Sequence, residues 1–311
     1  MRILSYIGKR RHLSTGLQSI PNFSTSQQYV SDPVKIIIIP VTTKKLFVYY
    51  KHKSELLNDR SLVVKYETKL VEKASNLWTK LQKSPKAYNK KVVAWVTSLL
   101  DKTPWTENSL NTIPSEGYIL KRVKEKEEER TLTLKEYLKR PEQLTAKPVN
   151  IYYPKEFISE GLVKAELRQL WENGQKYHRK YALMSLAAIP FTLPLVLVPI
   201  VPNVPGFYLL YRAYRNFKAN RGAKHLEALI ESKAYNIKFL DLPDYSNLIT
   251  STMGNHNRVS LELPEQMVLT PKLLARLMDV LEIHEIAPDL EKAIRQESKR
   301  LLPPTTEKTL K

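Results

Sequence analysis

Apolar and polar positions alternate with several different periods along the chain. Residues 34–39 and 46–50 are β-branched and aromatic runs, joined by the polar connection 40–45. Two such runs around a short polar link predict a β-hairpin. The unbroken run at 36–39 predicts a strand covered on both faces. Over residues 65–82, Leu70, Ala74, Leu77, Trp78 and Leu81 recur at three- and four-residue steps, a helical period. Val92, Val93, Trp95, Val96, Leu99 and Leu100 mark a second helix, which should end before Pro104. Both helices are expected to pack with the sheet. "WTENSLNTIPSEGYIL" at 105–120 reads as a loop, and "KRVKEKEEER" at 121–130, with its alternating charge, as a solvated face or an exposed loop. β-type pieces near 131–134 and 149–153 are expected to extend the sheet.

The pattern turns helical and mixed over 160–180 and then loses its charges. Residues 181–211 contain no Asp, Glu, His, Lys or Arg. That stretch is longer than the ~20 residues one membrane span needs. It carries Pro190, Pro194, Pro199, Pro202 and Pro205. Pro190 and Pro194 lie one turn apart and would bend a helix. Pro199, Pro202 and Pro205, with Asn203 and Gly206, read as a turn. The expectation is a kinked apolar helix over 181–198, a turn, and a second helix from Gly206. Basic residues flank both ends, which favours the same, inner side of a membrane for both. A re-entrant hairpin fits this best; a single kinked crossing and a buried soluble hairpin are the alternatives. Further on, Thr270 and Pro271 open a helix with Leu273, Leu274, Leu277 and Leu281 on one face. A second short helix follows Pro288, and residues 236–264 read as a loop.

Charge sharpens the picture. The chain of 311 residues has a formal net charge of +19, which calls for a polyanionic neighbour. Arg179 and Lys180 precede the uncharged stretch, and Arg212, Arg215, Lys218, Arg221 and Lys224 follow it. Interleaved with Tyr208, Tyr211, Tyr214 and Phe217, these cations suit anionic lipid such as cardiolipin, or RNA. Residues 1–31 are basic, serine-bearing and free of acids until Asp32, the pattern of a mitochondrial presequence. The absence of cysteine excludes disulfides and thiolate chemistry. The six histidines include no i, i+4 pair, so neither a metal site nor a cofactor is expected. With no phosphate loop, nucleophile elbow or zinc motif, the chain is not expected to be an enzyme.

The segments "KIIIIPVTTKKLFVYY", "WTENSLNTIPSEGYIL" and "LPLVLVPIVPNVPGFYLLYRAYRNFKANRGAKHLEALI" together resemble the fungal mitochondrial K⁺/H⁺ exchange-related proteins, over residues 34–232. The resemblance implies an inner-membrane protein linked to potassium–proton exchange and matrix volume. The residues themselves favour an accessory or regulatory role. An antiporter needs an ionisable group within the membrane, and residues 181–211 supply no Asp, Glu, His, Lys or Arg. The competing reading is a membrane-attached adaptor for the mitoribosome or cardiolipin. Other exchange components and further copies of the chain are the remaining candidate partners. The expected fold is α+β and mostly helical. It comprises a presequence (1–31), a matrix α+β domain (32–160), helices around the proline-rich membrane hairpin (161–235), a loop (236–264) and a C-terminal helical tail (265–311).

Overall fold

The computed structural model describes residues 25–197, 204–253 and 264–302. The fold is α+β. Its centre is the hairpin read from the apolar runs: β1 (Val34–Pro40) pairs antiparallel with β2 (Leu46–His52), with Ile38 opposite Val48. Ile36, Ile37, Ile38 and Ile39 are all fully buried. Their unbroken apolar run matches a strand covered on both faces. β6 (Val149–Tyr153) joins β1 in parallel, and β7 (Ile237–Asp241) joins β6 in parallel. The order is β2-β1-β6-β7. On one face Tyr245, from α8 (Pro243–Met253), donates its hydroxyl to the Ile38 carbonyl at 2.7 Å.

A smaller antiparallel sheet has the order β4-β3-β5, formed by Lys121–Glu125 (β3), Glu128–Leu132 (β4) and Thr145–Ala146 (β5). Lys126 and Glu127 make its tight turn, with φ of 45° and 74°. Both sit in the left-handed region that a two-residue hairpin of this twist requires. The charge-alternating run is therefore a strand pair and not a loop. The short α5 (Leu134–Lys139) follows, with Thr133 and Glu136 forming a capping box.

Three other expectations are corrected. Residues 105–120 open with a helix, α4 (Trp105–Thr112), and its Trp105, Glu107, Ser109, Leu110 and Asn111 are buried. Its signal was hidden because most of its inward side chains are polar. Residues 236–253 hold β7 and α8 where a loop was expected. The helices α2 (Leu62–Gln82) and α3 (Ala87–Asp101) do form, but they do not pack their apolar faces on the sheet. Val64 is their one buried residue.

α6 (Glu160–Ala188) and α7 (Val204–Glu231) pack side by side in opposite directions. Arg168 reaches Glu231 at 2.7 Å, Gln175 reaches Glu227 at 2.8 Å, and His178 reaches Asn216 at 2.8 Å. The kinked helix expected over 181–198 is instead the far end of α6, followed by a 3-10 segment over Ile189–Leu197 that contains Pro190 and Pro194. The tighter winding relieves the clash that an interior proline makes with the preceding turn of an α-helix. Pro205 lies in the first turn of α7, where a missing N–H costs nothing. Pro199 and Pro202 lie outside the described residues, as does most of the expected presequence. Residues 25–31 of that segment form the short helix α1 (Thr25–Ser31).

The last elements are α9 (Pro271–Leu281) and α10 (Ala287–Leu301). Thr270 caps α9 by accepting from the Leu273 N–H at 3.2 Å, and Leu273, Leu274, Leu277 and Leu281 are buried as their spacing implies.

Two glycines allow α4 to seat against the α6–α7 pair. A Cβ on Gly222 would lie 2.2 Å from the Leu110 carbonyl oxygen, and one on Gly174 would lie 2.6 Å from Leu110 Cδ1. Gly222→Ala is expected to cost about 2–3 kcal/mol through this overlap. Gly161→Ala, on an open part of α6 with nothing within 4 Å, should be neutral or slightly stabilising. Urea unfolding of the two variants beside the parent checks the contrast.

A buried ionic root and an exposed apolar end

The sequence places Glu107 next to an aromatic in "WTENSL", and Arg212 roughly a hundred positions later. α4 and α7 bring them together. Arg212 donates Nη1 to Glu107 Oε1 and Nη2 to Oε2, each at 2.7 Å. This is the bidentate fork that a guanidinium and a carboxylate form best. Glu107 is 1% exposed and Arg212 is 9% exposed. Arg215 Nε approaches Glu107 Oε1 at 3.5 Å, and Arg215 Nη2 donates to Asn108 Oδ1 at 2.9 Å. Burial would push the Glu107 carboxyl up. The Arg212 hydrogen bonds and the charges of both arginines outweigh it, so the group is held below its ordinary value.

The cluster extends to α6 and α10. His178 Nδ1 donates to Asn216 Oδ1 at 2.8 Å, and Asn216 Nδ2 donates to the Arg212 carbonyl at 2.8 Å. The amide orientation thus sets the imidazole tautomer. Asn108 Nδ2 donates to Asp289 Oδ1 at 2.6 Å, and Trp105 Nε1 donates to Glu297 Oε1 at 2.7 Å. Polar residues from "WTENSL" therefore knit α4 to α7 and α10. No grouping of three or more His, Asp or Glu that could hold a metal occurs among the described residues.

Beyond this root the hairpin changes character. Ala182 is the last buried residue of α6, and Arg212 is the first of α7. Between them Leu183, Met184, Leu186, Phe191, Leu193, Phe207 and Leu210 are exposed. Phe191 is 85% exposed and Phe207 is 68% exposed. Exposed apolar residues in one contiguous region mark a contact site. No helix among the described residues is long and apolar enough to cross a membrane.

The cations expected to meet lipid or RNA divide into two groups. Arg212 is consumed by Glu107, and Arg215 is half-buried on Glu107 and Asn108. Releasing either to a phosphate would strand a buried carboxylate. Lys218 is half-buried, and burial lowers its affinity for a proton. Arg221 lies 4.5 Å from the Phe217 ring and, like Lys224, is exposed. Arg179 and Lys180 are exposed on α6 just before the uncharged end. The basic helix is thus no continuous cationic surface. The cations wrap around α7, and those on its inner side meet protein. Sequence reasoning missed Glu107, His178 and Asn216. The available signal was an acid, an asparagine and a tryptophan clustered in one short segment.

This arrangement defines a class: an α+β protein bearing a helical hairpin with an ionic root and an apolar end. The chain belongs to the mitochondrial K⁺-H⁺ exchange-related family, whose model matches residues 35–230. It is 47% identical over 279 residues to an uncharacterized protein of Saccharomyces cerevisiae, covering 88% of this chain and 87% of that one. It is 29% identical over 193 residues to an uncharacterized protein of Schizosaccharomyces pombe, covering 62% of this chain and 74% of that one. No solved structure matches it.

Two predictions follow from the root. Arg212→Ala should cost about 3–5 kcal/mol, because it leaves the Glu107 charge buried and unpaired. The paired replacement Glu107→Gln with Arg212→Met should recover much of that loss in chemical denaturation. The second concerns pH. Burial lowers the proton affinities of His52, His178 and His225 below the ordinary imidazole value of 6.5. As pH falls through that value the unfolded chain takes up protons that the native chain does not, so stability is lost. Urea midpoints should fall between pH 7.5 and pH 5.5, and His178→Gln should shrink the fall.

Proposed function

We propose that the chain is a membrane-attached component or regulator of the mitochondrial K⁺/H⁺ exchange system. In this reading it is held at the matrix face of the inner membrane by the apolar end of the α6–α7 hairpin. The observation that carries the reading is the exposed end itself: Phe191, Leu193, Phe207 and Leu210 face outward with no charged residue over 181–211. Burying such side chains in lipid is worth about 1.5–3 kcal/mol each when complete. Arg179 and Lys180 sit at the base of that end, where anionic headgroups such as those of cardiolipin would lie. A shallow insertion matches the described helices, whose apolar part is too short for a crossing.

An accessory role is favoured over conduction. Ion exchange needs a titratable group that both sides of the membrane can reach in turn. The apolar end has no Asp, Glu, His, Lys or Arg, and a tyrosine hydroxyl holds its proton at physiological pH. The ionisable residues at the root, Glu107 and Arg212, are buried and bound to each other. The chain would therefore act on, or together with, the component that moves the ions.

The double substitution Phe191→Glu with Phe207→Glu should shift the protein from the membrane pellet to the soluble fraction of disrupted mitochondria. Retention in the pellet after a high-salt wash, which screens lysine contacts with anionic lipid, would overturn attachment through this end. Mitochondria lacking the chain should show impaired swelling in potassium acetate, restored by the parent and not by the double variant. Unimpaired swelling would count against the exchange role. Purified protein in K⁺-loaded liposomes should not move protons by itself, as read by a trapped pH dye.

A further inference from the structure

α2 and α3 are long helices, of 21 and 15 residues, with almost nothing buried. Both ends of the pair are nonetheless fastened to the body. At the start, Asn58 N–H donates to the Tyr118 carbonyl at 2.9 Å, and Glu67 accepts from the Tyr118 hydroxyl and, at 2.7 Å, from the Tyr214 hydroxyl. At the finish, Lys292 Nζ donates to the Leu100 carbonyl at 2.8 Å, and Arg295 pairs with Asp101 at 3.0 Å. The pair is thus a fixed arm and not a loose end.

Its uncovered surface is patterned. Tyr66, Leu70 and Leu77 follow one another at four- and seven-residue steps and so share a face of α2. Leu62 and Val63 extend that face by a turn, and all five are exposed, Leu70 at 69%. Lys69, Lys73 and Lys80 repeat the same steps three residues later and border the face. On α3, Tyr88 and Trp95 are exposed and lie two turns apart, with Lys90 and Lys91 between them. Over residues 62–101 eight lysines stand against three acids, and two of the acids, Glu67 and Asp101, are engaged with the body. An apolar face with aromatic residues and a lysine border is the pattern of a helix lying in a membrane interface.

Continuity fixes where the arm sits. The Trp95 ring lies 6.0 Å from the Tyr208 ring, one residue from the exposed Phe207 of the hairpin end. We infer that α2 and α3 form a second membrane-contacting element, an amphipathic arm that lies on an anionic bilayer beside the hairpin end. This rests on the membrane reading of that end. A second copy of the chain is a poorer occupant of the face, because it would set two lysine borders against each other.

The lack of cysteine allows each element to be probed separately. An environment-sensitive fluorophore is placed on Leu70→Cys or on Leu193→Cys in the full chain, and phosphatidylcholine–cardiolipin vesicles are added. Both probes should shift to the blue. The Leu70 response should need at least about a hundredfold more vesicle when Lys69, Lys73 and Lys80 are changed to Glu, and it should be lost on phosphatidylcholine alone. A response at Leu193 with none at Leu70 overturns the arm and leaves the hairpin reading standing. A response at Leu70 with none at Leu193 supports the arm and overturns the hairpin reading. An unchanged Leu70 response on phosphatidylcholine alone overturns the anionic preference. A Leu70 shift that grows with protein concentration without lipid assigns the face to a second copy and overturns the inference.

Discussion

The Glu107 carboxylate is surrounded by protein, so it must find its counter-charge there, and Arg212 supplies it through two parallel hydrogen bonds. Taking both ions out of water is expensive unless the geometry is right. The pair therefore admits essentially one register of α7 against α4. Gly222 and Gly174 enforce the same register sterically, because side chains there would strike Leu110. From α4 the constraint spreads. Ser109 both accepts from the Val48 N–H and donates to the Val48 carbonyl, at 2.8 and 2.9 Å, which closes the outer edge of β2. An edge strand so covered cannot pair with another chain. Trp105 and Asn108 carry the same helix to α10.

A root of this kind has a consequence for the proposed role. The hairpin end is uncharged and exposed, so its placement depends on how firmly the helices below it are held. His178, Asn216 and Arg212 form a chain of hydrogen bonds between α6 and α7 immediately beneath that end. The charges of the root, Glu107 and Arg212, are spent on each other and position the helices. That division, apolar contact outside and ionic order inside, suits a part that anchors or adjusts the exchange system.

Some of this was legible along the chain. The isoleucine run of β1 identifies a two-faced strand because only a fully covered strand tolerates four consecutive apolar residues. The leucines of α9 and its Thr270 cap are local signals, and both are found as read. α4 was not legible, because its inward face carries Glu107, Ser109 and Asn111, and a period built on apolar residues does not register them. The strand β7 and helix α8 were overshadowed by the glycine and asparagines further along the same stretch. The apolar period of α2 and α3 was read correctly as helical, but periodicity says only that one face is apolar, not what covers it.

Local backbone preference and hydrophobic period are written in neighbouring residues. For that reason the sequence by itself determined the central hairpin, the long helices, the charge-free span and the family the chain resembles. Partner choice among charged and polar side chains depends on which distant helices come within hydrogen-bonding distance. Only the tertiary structure could decide that Arg212 serves Glu107 and not a phosphate, that the prolines at 190 and 194 lie in a tightened 3-10 segment, and that α2 turns its apolar face outward while the valines and leucines of α3 are half-buried.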